Sequence, residues 1–411
     1  MSKKSPQLSF EGFTDDWEER KLSSGLREYT DRVIVEDDKE YSQISVRNNF
    51  GGITLRGSKM GNKIGRKRQA KINLTKYPQT LIFTRQTVEQ GGIGWVDKYC
   101  DGAIVTENMP TISLDTSVFS KYFLTNLFQT RIFYKNAILD NVQGGSAQIA
   151  IHESKFLSST LLFPNLDEQE KIGKFFKQLD KTIALHQRKL DLLKEQKKGY
   201  LQKMFPKNGE KVPELRFAGF ADDWELRKLG EVATLSSSKR IHLSDYVTEG
   251  IPFYRGSEIS TGGITGNQEL FISQEKFDEI KEKYGVPSEG DILVTAVGTL
   301  GNLWKVDSRR FYYKDGNLIQ ISKMQVNSDY LLTYFTGGIG KKRLLDSAAG
   351  SNQKALTMVK MREITVDFPS EDEQKKIGAF FKSLDDTIAL HQRKLDLLKE
   401  QKKGYLQKMF V

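Results

Sequence analysis

The sequence predicts an α/β protein with two compact α/β domains separated by two long helices. The helices pair with each other along a heptad seam, in a pseudo-two-fold cyclic repeat. Three observations predict this. The segment TIALHQRKLDLLKEQKKGYLQKMF occurs twice, letter for letter, at Thr182–Phe205 and Thr387–Phe410, and across Phe163–Phe205 and Phe368–Phe410 the match is 37 of 43 positions at a constant offset of 205 residues. A self-similarity of that length sets the architecture before any local pattern does. The opening segment Pro6–Leu22 (PQLSFEGFTDDWEERKL) matches Pro213–Leu229 (PELRFAGFADDWELRKL) at 12 of 17 positions. Between the repeats lie two segments of nearly equal length, Ser23–Leu162 (140 residues) and Gly230–Asp367 (138 residues), which scarcely resemble each other.

The order is cyclic. The internal connector follows the first long helix directly, only Val411 follows the second, and the continuation expected there is found at the N-terminus. This predicts a closed arrangement with neighbouring termini. The boundaries are a connector at 1–22, a domain at 23–162, a long helix at 163–205, a connector at 206–229, a domain at 230–367 and a long helix at 368–411.

Each repeat opens as a helix start. Asn165 is followed three residues later by Glu168, and Ser370 by Glu373, the capping-box pattern. Pro206 stops the first helix. The spacing Ile172, Phe176, Leu179, Ile183, His186, Leu190, Leu193, Lys197, Tyr200, Met204 steps 4-3-4-3 without a break, and Ile377, Phe381, Leu384, Ile388, His391, Leu395, Leu398, Lys402, Tyr405, Met409 repeats it. That is a heptad seam, and the obvious partner for each helix is the other copy. About 39 residues at 1.5 Å rise give a rod of roughly 58 Å. His186 and His391 sit mid-seam, as a polar pair that fixes register or as a pH-sensitive switch. Lys197 and Lys402 are expected to snorkel out of the seam. Gly199 and Gly404 weaken the helices by roughly 1 kcal/mol each relative to Ala, in exchange for a close approach or a bend.

Each intervening segment carries strand-like runs punctuated by glycine, TLIFTRQ and GAIVTEN in the first and GDILVTAVGTLGNLWKV and NLIQISKM in the second. Each also carries one helical stretch near its end, SVFSKYFLTNLFQTRIFY and NSDYLLTYFTGGIGKKRLL.

The totals narrow the function. At 411 residues two or more domains are expected. A net charge of +10 and a pI near 9.2 favour a polyanionic partner. The single cysteine, Cys100, excludes a disulfide framework and a cysteine-ligated metal cluster within the chain. There is no long apolar run, and MSKKSPQLSF is polar throughout, so no membrane span or signal peptide is expected and a cytoplasmic protein is.

The charge is not spread evenly. Arg56–Lys76 holds Arg56, Lys59, Lys63, Arg66, Lys67, Arg68, Lys71 and Lys76 with no acid, interrupted by glycines. Such a loop or hairpin suits phosphate contact. The second domain has Lys239-Arg240, Arg309-Arg310 and Lys341-Lys342-Arg343, shorter runs that read individually as solvated surface. Gly145-Ser146-Ala147-Gln148 and Gly350-Ser351-Asn352-Gln353 share the offset of 205. They are either tight turns rejoining each domain to its helix, or loops that offer amides to phosphate and an amide side chain to a base edge.

Catalytic signatures are missing. There is no phosphate-binding GxxxxGK[ST] loop, no Asn/Asp-Pro-Pro-aromatic motif of amino methyltransferases, and no histidine cluster for a metal. Glu289 and Asp291 before the ILVTAVG run read as a strand-entry turn rather than a nuclease site.

Taken with the two unlike domains and their cyclic order, the DEQ-KIG-FF-LD-TI helix openings at Asp167–Ile183 and Asp372–Ile388, the LxFxGFxDDWExRKL connectors and GDILVTAVGTLG at Gly290–Gly301 resemble the specificity subunit of type I restriction-modification enzymes over essentially the whole chain. The first domain is the less typical. The resemblance implies that each α/β domain is a target-recognition domain reading one half of a bipartite, asymmetric site in double-stranded DNA. It implies that the antiparallel coiled coil holds the domains apart and that two methylation subunits bind the framework. Two restriction subunits join in the full complex. Adenine methylation with S-adenosylmethionine, and ATP- and Mg-dependent translocation and cleavage, would belong to those partners, and this chain would hold no cofactor or metal and would not itself catalyse. Half-sites one duplex turn apart are separated by roughly 34 Å, within reach of the rod. Residues inserted in Leu190–Lys198 are then expected to lengthen the spacer without altering either half-site.

The residues chosen for DNA contact are Arg56, Lys63, Arg66, Lys67, Arg68, Lys71, Arg85 and Gln148 in the first domain and Lys239, Arg240, Arg255, Asn352 and Gln353 in the second. Arg or Lys pairs with guanine, and Asn or Gln with adenine. Two rival readings differ in class. A coiled-coil scaffold with two protein-binding domains predicts no salt-dependent affinity for duplex DNA. A self-sufficient nuclease or methyltransferase predicts turnover by the isolated chain.

Overall fold

The computed structural model describes residues 5–65, 70–141, 150–260, 263–265, 269–350 and 354–411. The chain forms two compact units, Met1–Gln187 with Lys394–Val411, and Arg188–Arg393. Each long helix therefore contributes one half to each unit.

In the first unit, strand β1 (Glu18–Lys21) leads into β2 (Leu26–Tyr29), β3 (Asp31–Arg32), β4 (Glu40–Val46), β5 (Ile53–Met60), β6 (Ala70–Lys71), β7 (Thr80–Phe83), β8 (Ile93–Trp95), β9 (Ile104–Val105) and β10 (Thr111–Leu114). Helix α1 (Lys121–Leu127), β11 (Thr160–Phe163) and the long helix α2 (Leu166–Lys203) follow. An antiparallel sheet of order β2-β10-β7-β8 stands beside a five-stranded sheet of order β3-β6-β9-β4-β5. All four residues of β7 are buried. Because successive side chains of a strand point to opposite faces, Leu81 and Phe83 enter one core with Phe123, Phe156 and Ile112, and Ile82 enters a second with Ile44, Ile53 and Val105.

The second unit carries β12 (Glu225–Lys228), β13 (Thr234–Ser236), β14 (Tyr246–Val247), β15 (Ile251–Tyr254), β16 (Phe271–Ile272), α3 (Gln274–Tyr284), β17 (Ile292–Thr295), β18 (Leu303–Lys305), β19 (Tyr312–Tyr313) and β20 (Leu318–Ser322). It continues with α4 (Ser328–Thr336), α5 (Gly338–Asp346), β21 (Thr365–Phe368) and the long helix α6 (Glu371–Lys408). Its central sheet has the order β13-β20-β17-β18, the same topology as β2-β10-β7-β8. Strand β17 also divides its side chains, Ile292 and Val294 to one core and Leu293 to another. Two sequences that scarcely resemble each other thus build the same sheet, since a doubly buried strand asks only for apolar residues on both faces. The single helical stretch expected near the end of the second domain is two helices broken at Gly337, where an added Cβ would lie 2.8 Å from Leu201 Cδ1 of α2.

The helix halves pack antiparallel within each unit. In the first, the rings of Phe175 and Tyr405 are 5.0 Å apart, those of Phe176 and Phe410 6.0 Å, and Lys402 bonds Asp180 at 2.8 Å. In the second, Tyr200 and Phe380 are 5.1 Å apart, Phe205 and Phe381 6.1 Å, and Lys197 bonds Asp385 at 2.6 Å. Every seam position is buried or half-buried, while the off-seam Leu185, Leu192, Leu390 and Leu397 are exposed. One expectation is corrected and one of two alternatives is excluded. Lys197 and Lys402 do not snorkel outward, because each ammonium finds an aspartate on the facing helix. Gly199 and Gly404 serve no close approach, since a Cβ at either meets nothing within 4 Å. Replacing both with Ala is therefore expected to stabilise the protein by roughly 0.5–1 kcal/mol per site, read as a rise in the denaturation midpoint.

The repeated helix openings have a specific task. Asn165 Oδ1 accepts from Glu168 N at 2.9 Å and Ser370 Oγ from Glu373 N at 3.4 Å, the forward half of the capping box. Gln169 Oε1 accepts from Ser120 N at 3.1 Å, and Gln374 Oε1 from Asn327 N at 3.1 Å. Each glutamine thereby holds the N-cap residue of its domain's helix, α1 or α4. One turn on, a Cβ at Gly173 would lie 2.9 Å from Phe123 N, and one at Gly378 2.8 Å from Asn327 Oδ1. The glycines are needed because the domain helix rests directly on the long helix.

The connectors dock alike. Leu8 N donates to Lys408 O at 3.0 Å, and Leu215 N to Lys203 O at 2.8 Å. Phe10 meets Phe175 at 5.8 Å, and Phe217 meets Phe380 at 5.9 Å. Trp17 meets Phe410 at 6.2 Å, and Trp224 meets Phe205 at 6.1 Å. The N-terminal connector thus seats on the end of the last helix as the internal one seats on the end of the first, as the cyclic order predicts. The match breaks at one place. Arg216 forms a bidentate pair with Glu373, both bonds 2.8 Å, and the Glu373 side chain has no exposure. The aligned position in the first connector is Ser9, and the aligned carboxylate, Glu168, is only 3% exposed. Burial pushes the Glu168 carboxyl above its usual range.

Candidate nucleic-acid interface

The basic stretch of the first domain is partly strand and partly turn. Arg56 and Lys59 lie exposed on β5, the edge of the five-stranded sheet, and Lys63 lies in a short 3-10 turn. Arg56 is the extra residue of a β-bulge, because Gln43 pairs with Gly57 and Ile44 with Leu55. A bulge twists a strand and re-aims the side chain it adds, which leaves the Arg56 guanidinium on an open edge. Lys71 is half-buried, its ammonium 3.9 Å from Asp31. Arg66, Lys67, Arg68 and Gln148 lie outside the described residues, as do Asn352 and Gln353.

Two chosen arginines are engaged within their own domains. Arg85 Nε donates to Glu153 at 2.9 Å and its second nitrogen at 2.5 Å, with both side chains about four-fifths covered. Arg85 lines a cleft of about 490 Å³ with Glu28, Tyr29, Arg32, Glu107 and Met109. There burial raises the Glu28 carboxyl, with Glu153 adding to the shift and Arg85 opposing it. Arg255 bonds Glu269 at 2.7 Å and Glu258 at 3.3 Å. Base reading by either arginine would first require breaking its ion pair.

Lys239 and Arg240 are exposed, and Lys239 lines a larger cleft, about 790 Å³, with Ser237, Glu282, Lys283, Tyr284, Asp291 and Lys323. The Lys239 ammonium stands 4.9 Å over the Tyr284 ring. The ammonium groups of Lys239, Lys283 and Lys323 with the serine hydroxyls suit a phosphate backbone, against the carboxylates of Glu282 and Asp291 in the same lining. Within Lys341-Lys342-Arg343 the first two are exposed, but Arg343 turns inward to Asp367 at 2.7 Å and Tyr334 at 2.7 Å, which corrects its reading as surface. Asp291 is buried, accepts from Ser288 N at 2.9 Å and from Gln320 Nε2 at 2.7 Å, and so closes the strand-entry turn.

Apart from Gly350 the two Gly-Ser runs lie outside the described residues, and the chain after each is bonded at an equivalent point. Ile151 N donates to Arg85 O at 3.0 Å and Leu356 N to Ala296 O at 2.9 Å, both just past the central strands β7 and β17. Among the described residues no group of three or more His, Cys, Asp or Glu is placed to hold a metal, and no helix is long and apolar enough to cross a membrane.

A domain described as "Type I restriction modification DNA specificity domain" matches the chain twice, at residues 29–195 and 221–400. The chain belongs to this family. The type I restriction enzyme MjaVIII specificity subunit of Methanocaldococcus jannaschii is 21% identical over 279 residues, covering 66% of this chain and 65% of that protein. The chain spans 41% and 59% of two further curated relatives, so it covers less than two thirds of each relative's length. The fold is shared with the S subunit of a type I restriction-modification system from M. genitalium, at a TM-score of 0.61 and 15% identity over 99% of both chains. It is shared too with a chain solved in work on complex assembly and conformational transition of the type I R-M system, at a TM-score of 0.54 and 17% identity over 96% of this chain and 97% of that one. The family's repeat explains the two equivalent sheets. The residues missed by sequence reasoning, Gln169, Gly173, Gln374 and Gly378, were visible as the invariant letters of the helix openings.

Proposed function

We propose that this chain is the DNA-recognition subunit of a type I restriction-modification complex. Its two domains each read one half of a bipartite, asymmetric site. The halves of α2 and α6 form an antiparallel coiled coil about a pseudo-two-fold axis. The chain directs adenine methylation and restriction carried out by two methylation and two restriction subunits, which bring S-adenosylmethionine, ATP and Mg, inside the cell. It does not itself catalyse.

The observation that carries this reading is that unlike domains are clamped identically. Gln169 and Gln374 hold the domain helices at the same 3.1 Å, while the exposed chemistry of the two domains differs. A symmetric frame with unlike readers suits a split, non-palindromic site.

The test is a methylation map. The chain is co-expressed with its neighbouring methylation subunit in a host free of such enzymes, and N6-methyladenine is located by single-molecule sequencing. The expected result is a split motif with one methylated adenine per half, and exchange of residues 23–162 should change one half only. Duplex affinity should fall steeply with salt, with a log–log slope of roughly −0.9 for each phosphate neutralised. A salt-independent or absent affinity, with no methylation, would remove the proposal in favour of a protein-binding scaffold.

A further inference from the structure

The loop after the central strand is fixed by the same three main-chain bonds in both domains. In the first, Thr84 N donates to Gly92 O at 2.9 Å, Arg85 N to Asn108 O at 3.0 Å, and Ile151 N to Arg85 O at 3.0 Å. In the second, Thr295 N donates to Asn302 O at 2.9 Å, Ala296 N to Asn317 O at 2.8 Å, and Leu356 N to Ala296 O at 2.9 Å. Arg85 and Ala296 therefore occupy equivalent points, and so do the residues that follow, Gln86 and Val297.

Both of these residues are exposed. Gln86 makes no side-chain hydrogen bond among the described residues. Val297 is 39% exposed, directly after Asp291–Ala296, all of which are buried. The loops that carry them are closed by main-chain bonds. Gly92 N donates to Thr87 O at 2.9 Å, and a Cβ at Gly92 would lie 2.4 Å from Thr87 Oγ1. Gly301 N donates to Thr295 O at 2.8 Å, Gly298 and Gly301 adopt φ of 81° and 77°, and the Thr295 hydroxyl donates to Thr299 O. An exposed side chain on a hydrogen-bonded turn, with no hydrogen-bond partner among the described residues, is placed for an external contact.

The surroundings supply phosphate anchors. Lys354 is exposed two residues before Leu356, and Lys341 and Lys342 are exposed one turn before Leu345, whose Cδ2 would lie 3.1 Å from a Cβ at Gly301. Phosphate contacts fix register, and the groups between them meet base edges.

We infer that the equivalent positions Gln86 and Val297 determine specificity, each touching a base edge in the half-site its domain reads. The Gln86 amide suits the N6 and N7 of adenine. The Val297 side chain suits the methyl of thymine, with the exposed Thr299 beside it. One scaffold position then carries an amide in one domain and an apolar group in the other, as an asymmetric site requires. The inference rests on the DNA-reading function proposed above.

The test uses the full chain with its methylation subunit and compares methylation maps of wild type, Gln86→Ala and Val297→Asn. The expected result is that Gln86→Ala relaxes one base pair of one half-site by roughly tenfold or more, and that Val297→Asn does the same in the other half only. Where a variant methylates too weakly to map, competition between duplexes differing at single base pairs reads the same discrimination. Unchanged discrimination at every position in both variants overturns the inference while leaving the DNA-reading function standing. A wild-type chain that directs no methylation and binds no duplex overturns both.

Discussion

Arg216→Ala is expected to destabilise the second unit by about 3–5 kcal/mol, the cost of leaving a buried carboxylate without its partner. Glu373 has no exposure, and both of its oxygens are held by Arg216 at 2.8 Å. Hydrogen exchange read segment by segment should show lost protection in α4, β21 and the start of α6. Glu373→Gln placed in the same chain should recover most of it, because the neutral amide has less to lose on burial. Recovery that fails, or a loss below 1 kcal/mol, would mean the carboxylate reaches water more easily than its burial suggests.

The first unit offers the converse experiment. Glu168 has Ser9 where Glu373 has Arg216, and burial holds its carboxyl above the usual range. A carboxyl whose folded value is raised favours the protonated form in the folded state. Stability therefore falls as pH rises from the ordinary carboxylate range through that raised value, and is flat beyond it. Ser9→Arg should abolish or reverse this fall and stabilise the first unit at neutral pH by an amount on the order of 1–3 kcal/mol. Glu168→Gln should flatten the profile without the gain from an ion pair.

Arg343→Ala is the second large effect, again about 3–5 kcal/mol, and it should stand alone in its triplet. The guanidinium bonds the Asp367 carboxylate, the Tyr334 hydroxyl and the Thr365 carbonyl, at 2.7, 2.7 and 3.0 Å. Asp367 is 6% exposed, and burial raises the Tyr334 phenol further beside that carboxylate. Removing the arginine leaves the carboxylate to the tyrosine alone. Lys341→Ala and Lys342→Ala, being surface changes, should stay within about 0.5 kcal/mol. A denaturant series on the three variants decides it. Equal effects at all three positions would show that Arg343 is as solvated as its neighbours.

These cases show what the sequence made legible. The heptad seam could be read directly, because a 4-3 spacing has one physical meaning whatever surrounds it. The cyclic order followed from letters alone and reappears as matched bonds at Leu8 and Leu215. The shared sheet was hidden, since apolar runs at β7 and β17 need not resemble each other to be buried on both faces. The site was least legible. Arg255 has one local partner, Glu258 three residues on, but its closer partner Glu269 lies 14 residues away and the Arg85 partner Glu153 lies 68 away. A charged triplet likewise gives no sign that its third member points inward. Ion pairing between distant residues is a property of the fold, and no local pattern encodes it.

The clamp formed by Gln169 and Gly173, and again by Gln374 and Gly378, makes few demands on what it grips. The glutamine takes a main-chain N–H, offered equally by Ser120 and Asn327. The glycine requires only that nothing project from the long helix at that point. The glutamine's bond depends on no domain side chain, while Gly173 abuts main chain and the Tyr122 Cβ, and Gly378 the Asn327 Oδ1 and the Asp329 Cβ. The clamp is thus a fitting common to both domains, set by where each domain's helix begins. Two domains as unlike as these can share one chain because the clamp takes the same main-chain group from both.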